Sequence, residues 1–587
     1  MSTCLLRLFR TFVLICAFSF APTSWGRQPN VIVIITDDQG YGDLSITGNT
    51  IVETPHMDRL ATEGAWLDQF YVSPVCTPTR ATLMTGRYNY RTRAIDTFKG
   101  RAVMEPEEVT LAETLKEAGY ATGIFGKWHL GDYYPTRAID QGFDEAVVHQ
   151  GGGLRQPSNP PEGDRYHDPI LFHNGEPKRY EGYCTDIYFD EAARFIEEKA
   201  KGEAPFFAYI ATNAPHGPFD EPPTRDLYEE YLAKFPGDKR AATKAAFYSM
   251  IKNVDDNMGR LAEKLNELEI DEETLVVFLT DNGPAGGGSA GPYRGAKASV
   301  YNGGIRTVCF WRWPGTIDPG SKAFQTTAHI DLMPTILDFC EVKPPEGVTF
   351  DGRSVRPLMA EKGVMKIQGW EDRHLFFQWH RGDEPVLYHH FAVVGPQGQW
   401  KLLNNSSKSG REALDTDPDF QLYDLRADLG ETMNIASQHP EKVEQLKGAY
   451  ESWLKEVGNS RSPNYGMPPI VLGAEQAPVV VLTRQDRRSE ILNDAGWGTV
   501  GFWPVSVSAE GPYTVQIRLE DDAEEATEVE LSLSIGDSTW KEAMTIPRGV
   551  KTMAMGEVSF PVTGIGEFRA QPVGAEKAAV YQVTIIR

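Results

Sequence analysis

Five short apolar runs punctuate the first 370 residues, at 31–36, 120–125, 205–212, 275–280 and 307–311, and four of them break off into charged or amide side chains. Each run is nearly continuous in apolar residues rather than alternating, the pattern of a parallel strand covered by helices on both faces. Segments of helical periodicity lie between them, at 111–118, 190–199 and 241–268. Strand–helix alternation of this kind predicts an α/β domain with a largely parallel sheet over residues 27–370.

A chain of 587 residues is too long for a single core. Residues 371–460 carry shorter strand-like pieces at 392–394, 400–403 and 421–425, followed by one helix at 440–457. They predict a small antiparallel-sheet-plus-helix subdomain. A Pro/Gly-rich bridge, Ser462-Pro463-Asn464-Tyr465-Gly466-Met467-Pro468-Pro469, comes next. Beyond it the period changes to two. Val515, Ile517 and Leu519 face one way, Gln516 and Arg518 the other, and Val529, Leu531, Leu533 and Ile535 repeat the pattern, as do Tyr581, Val583 and Ile585. Residues 470–587 are therefore expected to form an appended antiparallel β-sandwich.

The first 26 residues differ from the rest. Arg7 and Arg10 precede an apolar stretch at 11–21, and the small residues Ala21, Ser24 and Gly26 follow. This reads as a cleaved secretory signal, too short to span a bilayer, so the expected location is secreted or periplasmic with no integral membrane segment in the mature chain. Val-Leu-Ile before Cys16 lacks the small residues that a lipoprotein site prefers. Losing the leader takes 58 basic residues to 56 against 82 acidic ones, a net charge near −26. That balance repels nucleic acid and anionic membranes. An anionic substrate then needs a locally basic funnel, and Arg87, Arg91, Arg93, Lys99 and Arg101 are the candidates. Four cysteines remain after cleavage: Cys76, Cys184, Cys309 and Cys340. They are too few for a disulfide scaffold. Cys309 and Cys340 read as small buried hydrophobes, while a lone bridge among Cys184, Cys309 and Cys340 stays open.

Open α/β sheets place their sites at the carboxyl ends of the strands. Here those ends carry Asp37 and Asp38, then Lys127 and His129, then Asn213 and His216, then Asp281 and Asn282. Any one pair alone reads equally well as a cap or a turn. Four together point to a site. Three Asp and an Asn offer hard oxygen ligands with no cysteine cluster and no paired-His spacing, which suits Ca²⁺ or Mg²⁺ rather than zinc. Cys76 opens the segment Cys76-Thr77-Pro78-Thr79-Arg80, with Gly86 ten residues on. Pro78 in a first turn and Gly86 as terminator predict a short helix with Cys76 at its mouth. A helix mouth favours an anion, and Arg80 reaches back toward the same spot. From the residues alone, Cys76 is either a nucleophile with a histidine base or an inert buried thiol.

Cys76-Thr77-Pro78-Thr79-Arg80 followed by Leu83-Met84-Thr85-Gly86-Arg87 resembles the signature of type I, formylglycine-dependent sulfatases, of the alkaline-phosphatase-like superfamily. Further blocks resemble the family in the same order: Thr36-Asp37-Asp38-Gln39-Gly40-Tyr41-Gly42-Asp43, Gly126-Lys127-Trp128-His129-Leu130-Gly131, Asn213-Ala214-Pro215-His216 and Thr280-Asp281-Asn282-Gly283. So do Leu422-Tyr423-Asp424-Leu425 and Glu431-Thr432-Met433-Asn434. The likeness spans about residues 28–457, and the sandwich resembles appendages on some bacterial members. It implies an alkaline-phosphatase-like α/β fold and a carbohydrate or aryl sulfatase. It implies that a formylglycine-generating or anaerobic sulfatase-maturing enzyme converts Cys76 to Cα-formylglycine. It also implies one Ca²⁺ on Asp37, Asp38, Asp281, Asn282 and residue 76. Arg80 and Lys127 would hold formylglycine and sulfate, His129 would take a proton as sulfate leaves, and His216 and Lys297 would bind sulfate and assist the leaving oxygen. One block departs: the family's usual Glu-Gly-Gly-x-Arg reads Asn302-Gly303-Gly304-Ile305-Arg306 here.

Two rivals follow from the same residues. A phosphatase or phosphonate monoester hydrolase of this superfamily is one, though the phosphatase chemistry usually adds a second metal with several His ligands. Only His129, His216 and His329 are candidates for that role. A non-catalytic glycan-binding protein is the other, opposed by the complete set of polar residues. Export, the appended sandwich and tryptophan-bearing segments (Trp311, Trp313, Trp379, Trp497, Trp503) favour a sulfated glycan as substrate. His380, His389 and His390 read as structural or glycan-facing rather than as metal ligands.

Overall fold

A computed structural model describes residues 28–359, 370, 373–381, 385–405, 417–461, 465–488, 501–560, 563–574 and 579–587. The predicted leader and Trp497 lie outside the described residues. The central sheet contains β1 (Asn30–Thr36), β2 (Ala65–Tyr71), β3 (Ala121–Lys127), β4 (Glu145–His149), β5 (Ile170–His173), β6 (Glu176–Arg179), β7 (Phe206–Ala211), β8 (Thr274–Thr280), β9 (Arg306–Thr307), β10 (Cys309–Arg312) and β11 (Ser321–Ala328). Their order is β11-β2-β10-β8-β1-β7-β3-β4-β5-β6, with β9 beside β2.

The middle of this sheet, β8-β1-β7-β3-β4, is parallel throughout. All seven residues of β1 are buried. Val31, Val33 and Ile35 enter the core on one face, and Ile32 and Ile34 enter the core on the other. Each such side chain contributes about 1.5–3 kcal/mol, so β1 is held from both sides. The run at 307–311 forms β10, which is antiparallel to both β8 and β2. Two-sided burial makes a strand continuously apolar whatever its direction, so the run carried no sign of its polarity. Helices Leu111–Glu117, Cys184–Lys199 and Ala241–Glu267 cover the sheet. The second starts six residues earlier than its periodicity indicated.

A smaller antiparallel sheet, β12 (Leu375–Gln378), β13 (Phe391–Val394), β14 (Trp400–Asn404) and β15 (Gln421–Asp424), follows. Helix Pro440–Gly458 lays Leu446, Tyr450, Trp453 and Val457 on it. The C-terminal part is a sandwich of β16 (Ile470–Leu472), β17 (Val479–Thr483), β18 (Trp503–Val507), β19 (Gly511–Leu519), β20 (Thr527–Ile535), β21 (Ser538–Ile546), β22 (Thr552–Phe560), β23 (Gly564–Val573) and β24 (Val580–Ile586). Sheet β16-β18-β23-β20-β21 faces sheet β17-β24-β19-β22. Its pairings are antiparallel except β16 with β18. No helix among the described residues is long and apolar enough to cross a membrane.

The sandwich is packed onto the α/β domain, and its core includes Val103 and Tyr133. Half-buried Asp132 and buried Asp486 lie where the two meet. Burial raises Asp132 to about 6, against a hydrogen bond from Gly151 N at 2.9 Å. Burial and the Asp132 charge raise Asp486 well above the carboxylate range. Both carboxyls therefore bind protons more tightly folded than unfolded. Their contribution is complete below the unfolded value of about 3.9 and is lost as pH rises through the folded values. Asp486→Asn, which keeps the shape and removes the charge, should raise the melting temperature at about pH 8 by roughly 2–4 °C and leave it unchanged at about pH 4. Equal shifts at both pH values in a thermal melt would count against this linkage.

Candidate active site

Strands β8, β1, β7 and β3 are the four whose polar ends the sequence singled out, and they are consecutive neighbours. Thr36 pairs with Thr280, so Asp37 and Asp281 leave the sheet side by side. Ile35 and Gly126 both pair with Ala211, which brings the segments after β7 and β3 to the same edge. Gly126, at φ 118°, is required for this closeness: a Cβ there would lie 1.9 Å from Ala211 O. Two site residues have left-handed backbones, Asp38 (φ 69°) and His129 (φ 58°), as does Ala298 (φ 68°) next to Lys297. Such conformations cost about 1–3 kcal/mol each and persist only where the surroundings impose them.

Helix Cys76–Thr85 runs from this edge, and all ten of its residues are buried. Gly86 closes it in the left-handed conformation, with its N–H on Thr82 O at 2.9 Å. At the mouth, Cys76 Sγ donates to Asp37 Oδ1 at 3.5 Å and accepts from Lys297 Nζ at 3.3 Å. One turn in, Arg80 donates to Asp281 Oδ2 at 3.0 Å and to Lys127 O at 3.1 Å. Lys127 Nζ sits 2.6 Å from Asp37 Oδ2, and Lys297 Nζ 2.6 Å from Asp38 Oδ1. Asn282 Nδ2 donates to Asp38 Oδ1 at 2.9 Å, and Asp38 N donates to Asp281 Oδ1 at 3.1 Å. His216 Nε2 lies 3.8 Å from Asp38 Oδ2, while its Nδ1 donates to Gly217 O at 2.7 Å. His129 Nε2 donates to Thr97 O at 2.9 Å. The ten residues proposed from sequence thus share one site.

Its electrostatics are uneven. Burial disfavours the Asp37 charge, but Lys127, His216, Arg80 and Lys297 outweigh it and hold the carboxyl well below its usual range. Burial and then the charge of Asp37 push Asp281 up to about 7. Burial and Asp37 push the Cys76 thiol up to about 12. His129 is driven well below the usual histidine value by burial and by Lys127, and burial also lowers His216. Lys297 is raised well above normal because Asp38, Cys76 and Asp37 outweigh its burial.

These donors fit a hard divalent cation. Asp37, Cys76 and Asp281 offer ligand atoms within 4.8 Å of one another. Asn282 Oδ1 is buried without a hydrogen-bond partner, so a carbonyl-type oxygen is left over beside three carboxylates. Oxygen-rich sets of this kind take Ca²⁺ or Mg²⁺.

The sulfatase family model matches residues 29–342. The chain belongs to the sulfatase family. It is accordingly a sulfuric ester hydrolase with an alkaline-phosphatase-like α/β fold. A second model, N-sulphoglucosamine sulphohydrolase C-terminal, matches residues 295–457. Human N-acetylgalactosamine-6-sulfatase is 31% identical over 424 residues, covering 67% of this chain and 75% of the human protein. The N-acetylgalactosamine-6-O-sulfatase of Bacteroides thetaiotaomicron is 30% identical over 506 residues, covering 73% and 93%. The crystal structure of Ps i-CgsB in complex with k-i-k-neocarrahexaose superposes with a TM-score of 0.63 at 26% identity, covering 75% of this chain and 95% of that one.

Several expectations about the surroundings of this sulfatase site change. Arg91 is held by Asp351 at 2.9 Å and by Glu456 at 2.6 Å, and Arg87 by Glu108 at 3.5 Å. Arg93 lies buried over the Tyr465 ring at 4.0 Å. Three of the five funnel candidates are thus engaged within the protein, and Arg101 is buried. Of the tryptophans that lie among the described residues, Trp311, Trp379 and Trp503 are buried and so cannot be sugar platforms, and Trp313 is packed on Phe339. His380 is stacked on Tyr90, His390 donates to Ala298 O at 2.5 Å, and His329 pairs with Ser73 away from the cluster. All four cysteines are free, so there is no lone bridge. At the departing block, Glu431 supplies the acid that position 302 lacks. It accepts from Asn302 N at 2.6 Å and pairs with buried Lys401 at 2.7 Å. The sequence quoted Glu431 in a motif but gave no sign of this partnership.

Ca²⁺ at a hundred times its Kd should stabilise the folded protein by about 2.7 kcal/mol, read as a rise in melting temperature that EDTA reverses. Asp281→Ala should lose that rise. A melt indifferent to Ca²⁺, or a rise that survives the substitution, would remove the cation from this cluster.

Proposed function

We propose that the chain releases inorganic sulfate from a sulfated carbohydrate, using Cα-formylglycine formed from Cys76 and one Ca²⁺ held by Asp37, Asp38, Asp281, Asn282 and residue 76. The observation that carries this reading is the place of Cys76. It sits at a buried helix mouth, 3.5 Å from a carboxylate of the acidic cluster and 3.3 Å from an ammonium group. A thiol pushed up to about 12 is protonated at neutral pH and is a poor nucleophile as it stands. When formed and hydrated, formylglycine next to a divalent cation supplies a geminal diol, one hydroxyl to attack sulfur and a second whose deprotonation lets sulfate go.

The chain's own residues then divide the work. Lys297 keeps its proton and presents a fixed cation to the sulfate oxygens beside residue 76. Lys127 and Arg80, bonded to Asp37 and Asp281, fix the carboxylates and add positive charge behind the helix mouth. Preorganised charge of this kind is the main requirement for a displacement at a group already crowded with anionic oxygens. His216 donates from Nδ1 to Gly217 O, so Nε2 faces the site and hands a proton to the leaving oxygen only from the imidazolium form, while Lys297, which keeps its proton, is the second donor to that oxygen. His129 donates from Nε2 to Thr97 O, so its bare atom is Nδ1, which is buried and has no hydrogen-bond partner. Neutral because of its lowered pKa, it takes the proton when sulfate is released.

A carbohydrate substrate is supported by the names of the relatives, two of which are N-acetylgalactosamine-6-sulfatases, and by the neocarrahexaose complex of the solved neighbour. Maturation of Cys76 by a formylglycine-generating or anaerobic sulfatase-maturing enzyme, and export by the predicted leader, belong to the same proposal. A sulfate-release screen over sulfated mono- and oligosaccharides, with aryl sulfate and aryl phosphate alongside, tests it. Sulfated sugars should be the best substrates, and faster turnover of aryl phosphate would overturn the reading. Cys76→Ala should abolish sulfate release with an unchanged melting temperature. Chain expressed without a maturing enzyme should be inactive and should yield an unmodified Cys76 peptide by mass spectrometry.

A further inference from the structure

Residues 483–488 of the sandwich lie against the α/β domain, where Gln485 and His129 share an acceptor. Gln485 is 1% exposed. Its Nε2 donates to Thr97 O at 3.3 Å, across 388 positions of sequence, and its own carbonyl accepts from Gly100 N at 3.3 Å. Behind it, Gln485 N donates to Thr483 Oγ1 at 3.2 Å, and Thr483 O accepts from Trp503 Nε1 at 2.7 Å. The segment is thereby anchored on a tryptophan of the sandwich core. Gly100 permits the approach. It has φ 72°, and a Cβ there would lie 2.1 Å from Met467 Sδ.

Thr97 O is also the acceptor for His129 Nε2 at 2.9 Å. One carbonyl thus receives an imidazole from the α/β domain and an amide from the sandwich. Three consecutive glycines lie along the same row. A Cβ on Gly153 would be 3.0 Å from His216 Cε1, one on Gly152 2.5 Å from His129 Cε1, and one on Gly151 3.5 Å from Gln485 Cδ. His216, His129 and Gln485 are therefore covered in turn by one stretch of main chain.

We propose that Gln485 is a positioning residue for His129, which makes the sandwich a structural part of the active site. The inference rests on the base role given to His129 above. A carbonyl oxygen only accepts, so Thr97 O compels His129 to carry its proton on Nε2 and keeps Nδ1 bare. The loop that carries Thr97 closes on itself at its ends, where Ile95 N and Asp96 N both reach Arg101 O, at 3.0 and 3.2 Å. Its middle is fixed from the sandwich, at Thr97 O by the Gln485 side chain and at Gly100 N by the Gln485 main chain. Without the amide, Thr97 O loses one of its two side-chain partners, and the contact that sets the tautomer and angle of the imidazole is less firmly fixed.

The test uses the full-length matured enzyme and three variants, Gln485→Ala, Gln485→Glu and His129→Ala. His129 serves only the second half of turnover. Slowing that half lowers kcat and KM together and leaves kcat/KM unchanged. Gln485→Ala should lower kcat about ten- to a hundred-fold, the range for lost orienting partners, with KM falling in step. Gln485→Glu has the same shape but cannot donate to Thr97 O. Its charge beside His129 raises the imidazole pKa, so the acid limb of the kcat–pH profile should move to higher pH. In unmodified Cys76 protein, amide exchange across residues 96–101 should be faster in Gln485→Ala than in the parent. Equal falls in kcat and kcat/KM at constant KM, or parental kinetics with parental exchange, would overturn the positioning role. If His129→Ala lowers kcat and KM together and Gln485→Ala does not, this inference falls alone. If His129→Ala does not, the base assignment falls and takes the inference with it.

Discussion

Three buried carboxylates at the ends of two adjacent parallel strands govern this molecule. Asp37, Asp38 and Asp281 are almost wholly removed from solvent, where an unpaired charge is strongly disfavoured. The register of β1 with β8 forces Asp37 and Asp281 to emerge together, so neither can escape the other's field. Everything around them is arranged as compensation. Lys127 arrives from β3, Arg80 from the buried helix and Lys297 from the loop after β8, each bonded to a different carboxylate. The compensation is unequal, and Asp37 is held low while Asp281 is pushed up to about 7. Three carboxylates matched by three cations, with an amide oxygen left unpartnered beside them, offer the hard oxygen donors that a divalent cation takes.

Much of this was legible in the sequence because the physics that shapes it is local. A strand buried on both faces must be apolar throughout, so β1, β3, β7 and β8 announced themselves, and the polar residues after them announced the edge where they meet. β6 (Glu-Pro-Lys-Arg) is fully exposed at the sheet's edge, and no core imposes a pattern on it. The direction of β10 was equally silent. What the sequence could not show was partnership across distance. Arg91 looked like one of a basic cluster because Asp351 and Glu456 stand 260 and 365 positions away. Asn302 looked like a lost acid because Glu431 is 129 positions away.

The sandwich is the extreme case of the same limitation. Its strands were readable from their period of two, since alternation depends only on one wet and one dry face. Its contribution to the site is carried by one amide and one carbonyl of Gln485, on a segment with no periodicity. Val103 and Tyr133 complete its core, and Met467 and Asp486 close on Gly100, so the sandwich is packed in place rather than merely tethered.

His129 shows why such packing matters for chemistry. In the proposed reaction His129 is the base, and burial together with Lys127 and Arg80 keeps it neutral while weakening its pull on a proton. Such a base depends on geometry: the bare nitrogen has to face the proton it is to take, and the other nitrogen must be occupied. Thr97 O provides the occupation, and that carbonyl is shared with the Gln485 amide of the sandwich. The charges that make the nucleophile's surroundings workable thus transfer the burden of precision onto a single main-chain carbonyl. That carbonyl is steadied from the domain lying farthest along the chain.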